Sequence, residues 1–154
     1  MSKRLSIMKH FEGLKPLLDY SAALHQTGLE RPLVELVLMR VSQINGCAYC
    51  MDMHSKDARA AGETEQRLYV LAGWREASFY SERERAAFEW AEVLTRLGEH
   101  GVTDDIYARA SAVFSEEELL NLTMIVGMIN AWNRINVAFQ TPAGSYKPAA
   151  RQAA

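Results

Sequence analysis

The fold turns on the run Pro32-Leu-Val-Glu-Leu-Val-Leu-Met-Arg-Val-Ser-Gln-Ile-Asn-Gly-Cys-Ala-Tyr-Cys-Met-Asp-Met-His54. It holds the chain's only two cysteines, Cys47 and Cys50, and His54 follows the second by four residues. Leu33, Val34, Leu36, Val37, Val41 and Ile44 recur with helical spacing, which predicts a helix over about Pro32 to Ile44. A second helical segment runs from about Cys47 to Ala61 and is stopped by Gly62. Asn45-Gly46 between them is a turn signal, so the run predicts a helical hairpin. On a helix opening at Cys47, positions i, i+3 and i+7 share one face, and Cys47, Cys50 and His54 point the same way.

Axial heights extend this reading to Glu35, which lies eleven residues before Gly46 while His54 lies eight after it. At ~1.5 Å rise per residue the two stand roughly 16 Å and 12 Å above the turn. Antiparallel neighbours therefore bring carboxylate and imidazole to similar levels, in the file Glu35, His54, Cys50, Cys47. A lone helical glutamate is most often a solvated charge; here its level beside His54 argues for a pair. A carboxylate that orients an imidazole, which in turn polarises a thiol, is the arrangement of an activated nucleophile. The second thiol, three residues away, can resolve whatever the first becomes.

Glu35-x11-Cys47-x2-Cys50-x3-His54 resembles the core motif of the alkylhydroperoxidase-D-like proteins, within the wider carboxymuconolactone decarboxylase superfamily. The run Ile44 to His54 looks like that family's core. The similarity extends through Trp74-Arg75 and Glu82-Arg83-Glu84-Arg85 to Ala131-Trp132-Asn133-Arg134. The resemblance implies a peroxidase reduced by an external dithiol of lipoyl or thioredoxin type, in a homo-oligomer, trimeric or hexameric. Carried over residue by residue, Cys50 is the peroxidatic thiol, Cys47 resolves and donates a proton, and Glu35 and His54 form the proton relay. The best-known alkylhydroperoxidase D members carry a histidine directly before the second cysteine, where this chain has Tyr49. Decarboxylases of the superfamily lack the cysteine pair, so the resemblance implies peroxide chemistry rather than lactone decarboxylation.

A thiolate attacks a peroxide oxygen and becomes a sulfenic acid, which condenses with a neighbouring thiol to a disulfide; an external dithiol then restores both cysteines. The scheme requires no haem, flavin or metal, so no cofactor is expected. A helix N-terminus and a nearby imidazole both favour the thiolate over the thiol. Two other readings of the same residues stand beside it. Cys47, Cys50, His54 and Glu35 are residue types that suit zinc, which would make the motif a metal-binding module. The pair could also exchange disulfides without reducing peroxide, although the βαβ context of a thioredoxin is absent.

The rest of the chain bounds these readings. A length of 154 residues with 49% hydrophobic content suits one domain over 1–154, its last part, 141–154, a tail. A net charge of −2 and a pI near 6.1 give no footprint for nucleic acid. No apolar run approaches the ~20 residues needed to span a bilayer, so no membrane partner is expected. Met1 to His10 lacks the apolar stretch of a signal peptide, so the expected compartment is the cytoplasm. Two cysteines there read as catalytic rather than as a structural staple.

No segment alternates in the manner of a strand, so the expected fold is all-α, a single-domain bundle of about six to seven helices. Gly13 to Gln26 reads as a first helix, with Leu14, Leu17, Leu18, Ala22 and Leu24 inward and His25 at its end. A short helix is expected over Thr64 to Ala72. Ser81 with Glu84, and Ser115 with Glu118, are capping boxes; Thr103 reads as the cap of a short helix between them. Trp74, Phe79 and Tyr80 read as packing, and Asp52 and Asp57 as surface carboxylates. The last helix, Glu116 to Phe139, is apolar on more than one side and so is expected at the centre or between subunits. Gly127 would permit close helix approach, the polar groups from Asn130 to Asn136 need partners if buried, and the chain from Thr141 reads as a surface arm.

Overall fold

The Pro32–His54 run folds as the hairpin its spacing predicts. A computed structural model describes residues 4–148, among which seven α-helices and two short 3-10 turns account for the regular structure. Helix α1 spans Phe11–Leu24 and α2 spans Arg31–Asn45. Pro32 sits in the first turn of α2, where its missing N–H would have had no helical partner. Gly46 ends α2 with a φ of +66°, the left-handed conformation that a β-carbon would strain. Helix α3, Ala48–Ala60, starts at once, with Cys47 as its N-cap.

The remaining helices are α4 (Glu65–Val70), α5 (Glu82–Thr95), α6 (Asp104–Ser111) and α7 (Glu116–Phe139). α2 is the hub: it packs on α3, α5 and α7, and Leu36, Val37, Leu38 and Val41 are wholly buried. Leu38, which the apolar periodicity leaves off the inward face, is buried because α2 is covered on more than one side. α7 supplies Leu122, Ile125, Val126 and Ile129 to the same core, yet its opposite side leaves Leu120 60% exposed. Gly127 faces open space on that side, so the close approach it permits is not used among the described residues.

Both serine capping boxes form as expected, Ser81 with Glu84 and Ser115 with Glu118. Thr103 occupies the N-cap position of α6 but makes no capping bond; its hydroxyl turns to the Asp105 carboxylate instead. α1 also differs from expectation. A 3-10 turn, Ile7–His10, leads into it, and it begins before Gly13 and ends at Leu24, with His25 as C-cap. The helix runs through Pro16, giving up one backbone hydrogen bond. Leu14, Leu17 and Leu18 are only half-buried and Ala22 is exposed, because α1 fronts a cavity instead of filling the core.

Polar groups lock the frame. Glu92 accepts hydrogen bonds from Arg40 Nε at 2.7 Å, Trp74 Nε1 at 2.9 Å and Arg75 Nη1 at 2.6 Å. These tie α2 to α5 and to the connection before it, and such a buried, fully partnered carboxylate is costly to leave half-paired. Trp74 and Tyr80 pack edge-on against Phe88, as their packing role predicts, while Phe79 is exposed. Asn45 Nδ2 donates to both Asn130 and Asn133, and Asn133 Nδ2 donates to Ser42. The polar groups of α7 thus find their partners at the tip of the hairpin.

The segment after α7 is not a free arm as far as residue 148. It returns across α3: the Gly144 N–H donates to Asp52 at 3.0 Å, and Lys56 Nζ donates to the Tyr146 carbonyl at 3.0 Å. The part of the expected tail over 149–154 lies outside the described residues. None of the described helices is long and apolar enough to cross a membrane.

Candidate active site

The hairpin brings Glu35 and His54 together as the height arithmetic predicts, with Glu35 Oε2 and His54 Nδ1 3.1 Å apart. The two residues are 3% and 6% exposed, so the pair is screened from water. Glu35 is therefore no solvated charge. Arg31, one turn earlier on α2, places its Nε 3.9 Å from the other carboxylate oxygen. Among the described residues, His54 Nε2 is buried without a hydrogen-bond partner.

Cys47 and Cys50 are joined in a disulfide, their Cα atoms 5.3 Å apart. The Cys50 amide donates to Cys47 Sγ at 3.3 Å, so the sulfur caps α3 as a serine oxygen would. Both sulfurs sit at the positive end of the helix. Asn136 Nδ2 lies 3.6 Å from Cys50 Sγ and supplies a second donor from α7. Asn136 was expected to need a partner if buried, but nothing in the sequence marks that partner as the redox centre. The link spans 86 residues and has no local signature.

Asp57 is where the sequence reading fails. Expected on the surface, its carboxylate joins Glu35 and His54 in a group whose polar atoms lie within 4.8 Å of one another. The signal was present, since His54 and Asp57 are an i, i+3 pair on one helix face. Burial pushes the Asp57 pKa upward; the hydrogen bond from Tyr146 opposes this, and the Glu35 charge adds to the rise. Tyr146 reaches Asp57 from the returning C-terminal segment, its hydroxyl 2.9 and 3.0 Å from the two oxygens. Burial and that carboxylate push the phenol up to about 12. Asp52, the other expected surface carboxylate, is bound by Lys56, which holds its pKa below the ordinary value. It anchors the C-terminal segment and stands outside the Glu35–His54–Asp57 group.

Two cavities meet at His54. One, of about 350 Å³, is walled by Ile7, Phe11, Leu14 and Trp132 and reaches Cys50 and Asn136. The other, of about 820 Å³, carries Arg31, Glu35, Asp57 and Tyr146. His25 lies at the edge of both, at the end of α1 where its sequence position put it. Cys47 lines neither cavity, so of the two sulfurs Cys50 is the one a molecule in the apolar cavity would meet. The zinc set of two cysteines, His54 and Glu35 is not assembled. The cysteines are bonded to each other, and the ligand-type cluster among the described residues is Glu35, His54 and Asp57.

Known proteins share this sequence and fold. The Bacillus subtilis protein YdfG, itself uncharacterised, is 43% identical over 146 residues, covering 94% of this chain and 99% of its own. A crystal structure from Agrobacterium tumefaciens, of a protein of unknown function provisionally assigned to AhpD-type antioxidant defence, superposes with a TM-score of 0.89. It is 36% identical and covers 94% of this chain and all of its own. The debrominase Bmp8, solved in complex with 2,3,4-tribromopyrrole, shares the fold with a TM-score of 0.80 at 18% identity, over 90% of this chain and 74% of its own. The model of the carboxymuconolactone decarboxylase family matches residues 12–93, from α1 through α5 with the whole redox hairpin. With Cys47 and Cys50 standing on the family's Cys-x2-Cys positions in an all-α frame, the chain belongs to the carboxymuconolactone decarboxylase family, in its AhpD-like branch.

Proposed function

We propose that this chain is a thiol-dependent peroxidase that reduces organic hydroperoxides through a Cys47/Cys50 dithiol–disulfide cycle. The observation that carries the reading is the buried Glu35–His54 pair, whose imidazole lines the same apolar cavity as the Cys50 sulfur. In the reduced protein His54 takes the Cys50 proton, and the thiolate attacks the terminal peroxide oxygen. The O–O bond breaks, Cys50 becomes a sulfenic acid, and the alkoxide leaves as an alcohol on receiving a proton from Cys47 or the relay. The Cys47 thiolate then attacks the Cys50 sulfur, forming the disulfide and releasing water. An external dithiol, lipoyl or thioredoxin-like, returns two electrons and two protons.

Asn136 and the α3 N-terminus both favour negative charge on Cys50. Tyr49, in the place of the family's histidine, leaves His54 as the imidazole on this hairpin. Peroxide consumption with dihydrolipoamide or thioredoxin as donor, comparing the parent with Cys50→Ser, tests the proposal. Turnover that Cys50→Ser abolishes supports it. A parent that exchanges disulfides with dithiols yet consumes no peroxide defeats it in favour of thiol–disulfide exchange. The debrominase shares only the fold at its level of identity, so its substrate gives no reason to prefer a halogenated one here.

A further inference from the structure

His54 lines two cavities. The smaller leads to Cys50; the larger holds Asp57, which has no assigned task. Asp57 is held from three directions. Tyr146 donates to its carboxylate from the C-terminal segment, Glu35 and Arg31 face it from α2, and His54 lies one turn away on its own helix. The Tyr146 clamp is itself positioned, because Lys56 holds the Tyr146 carbonyl and Asp52 holds the Gly144 amide. Three residues of α3 thus fix a strap that reaches the site through the Tyr146–Asp57 hydrogen bonds.

We propose that Asp57, clamped by Tyr146, is a positioning residue for the redox centre. Its carboxylate places a second negative charge beside Glu35 and His54, within 4.8 Å, which favours passage of the Cys50 proton to the imidazole and so sets the pH at which the Cys50 thiolate forms. The inference rests on the reading of Cys50 as the reacting thiol. The physical reason is charge: two carboxylates beside one imidazole favour its protonated form, and an imidazolium stabilises a thiolate. Tyr146 is needed because burial and the Glu35 charge otherwise favour a neutral Asp57, while a phenol donating to its oxygens favours the anion. Tyr146 thereby links the C-terminal segment to thiol reactivity.

The test measures the thiol directly. In reduced Cys47→Ser protein, where Cys50 is the single thiol, the rate of iodoacetamide alkylation is followed against pH. Asp57→Asn should raise the midpoint by about one pH unit, the low end of what a nearby charge does. Tyr146→Phe should raise it by less, since the carboxylate stays but is no longer held in place beside His54. Asp57→Glu should return it toward the parent, which a purely structural strap anchor would not require. A midpoint in Asp57→Asn within about 0.2 units of the parent overturns the proposal. So does an unmoved midpoint in Tyr146→Phe, a variant that keeps every charge and nearly all the volume. Peroxide consumption, assayed separately, keeps the two readings apart. An Asp57-dependent midpoint without peroxide turnover sinks the peroxidase alone, and turnover with an unmoved midpoint sinks this inference alone.

Discussion

Replacing Glu35 with Gln tests whether the buried pair is a relay or only a packing contact. Gln fills the same volume and can still accept a hydrogen bond from His54 Nδ1, so the change removes charge and little else. The pair is 3.1 Å apart and almost wholly buried. Two full charges about 4 Å apart attract by ~4 kcal/mol at an effective dielectric constant near 20. Part of that is retained by the neutral hydrogen bond, and hydrogen bonds to charged groups contribute ~1.5–3 kcal/mol net. At about 1.4 kcal/mol per decade, turnover should fall roughly 10- to 150-fold. The assay is hydroperoxide consumption under a dithiol donor, with a free-thiol count to show that the Cys47–Cys50 disulfide still forms. Folding should survive, because a neutral isostere relieves a buried charge. Turnover equal to the parent in a folded, disulfide-competent Glu35→Gln protein would refute the relay.

Three further outcomes are expected. Sulfenic-acid trapping after one equivalent of peroxide should label Cys50 in Cys47→Ser and leave Cys47 nearly unlabelled in Cys50→Ser. An ion pair with an imidazole can shift a thiol pKa by several units, against about 0.3–1 kcal/mol for the helix dipole that favours Cys47; the reverse pattern would show the dipole in control. Glu92→Gln should cost roughly 3–5 kcal/mol in denaturant melts at neutral pH, because it strands the buried Arg40 charge. Burial alone would raise the Glu92 pKa, but donors from Trp74, Arg75 and Arg40 hold it below the ordinary 4.5. A folded value below the unfolded one contributes stability that is full above about pH 4.5 and lost as pH falls through the folded value. Glu92→Gln should therefore also flatten the acid side of the stability curve, and an unchanged acid limb would reject this. Leu120 and Gly127 lie on the uncovered side of α7, where half-buried Met124 also sits. A homo-oligomer covering that side is expected by light scattering, and a monodisperse 17.3 kDa monomer would count against it.

The all-α class, the hairpin and its pairing of Glu35 with His54 were legible in the sequence because they depend on local rules. Helical periodicity, a turn glycine and a fixed rise per residue act within about twenty positions, and the rise alone put carboxylate and imidazole at one level. The two serine capping boxes were legible for the same reason, each closing over three residues. Cys50 and His54, one helical turn apart and expected on one face, both line the smaller cavity. What the tertiary structure decided was everything that depends on which distant surface covers a helix. α2 became the hub, with Leu38 buried, because three helices surround it. α1 fronts a cavity, so Ala22, read as inward, faces water. Asp57 shares a helix face with His54, but its cover from water depends on Tyr146, 89 residues away, folding back onto it. Asn136 reached Cys50 across 86 residues for the same reason. Periodicity tells which face of a helix is apolar, but a polar residue's environment is set by the long-range contact that excludes water from it, and no local pattern records that contact.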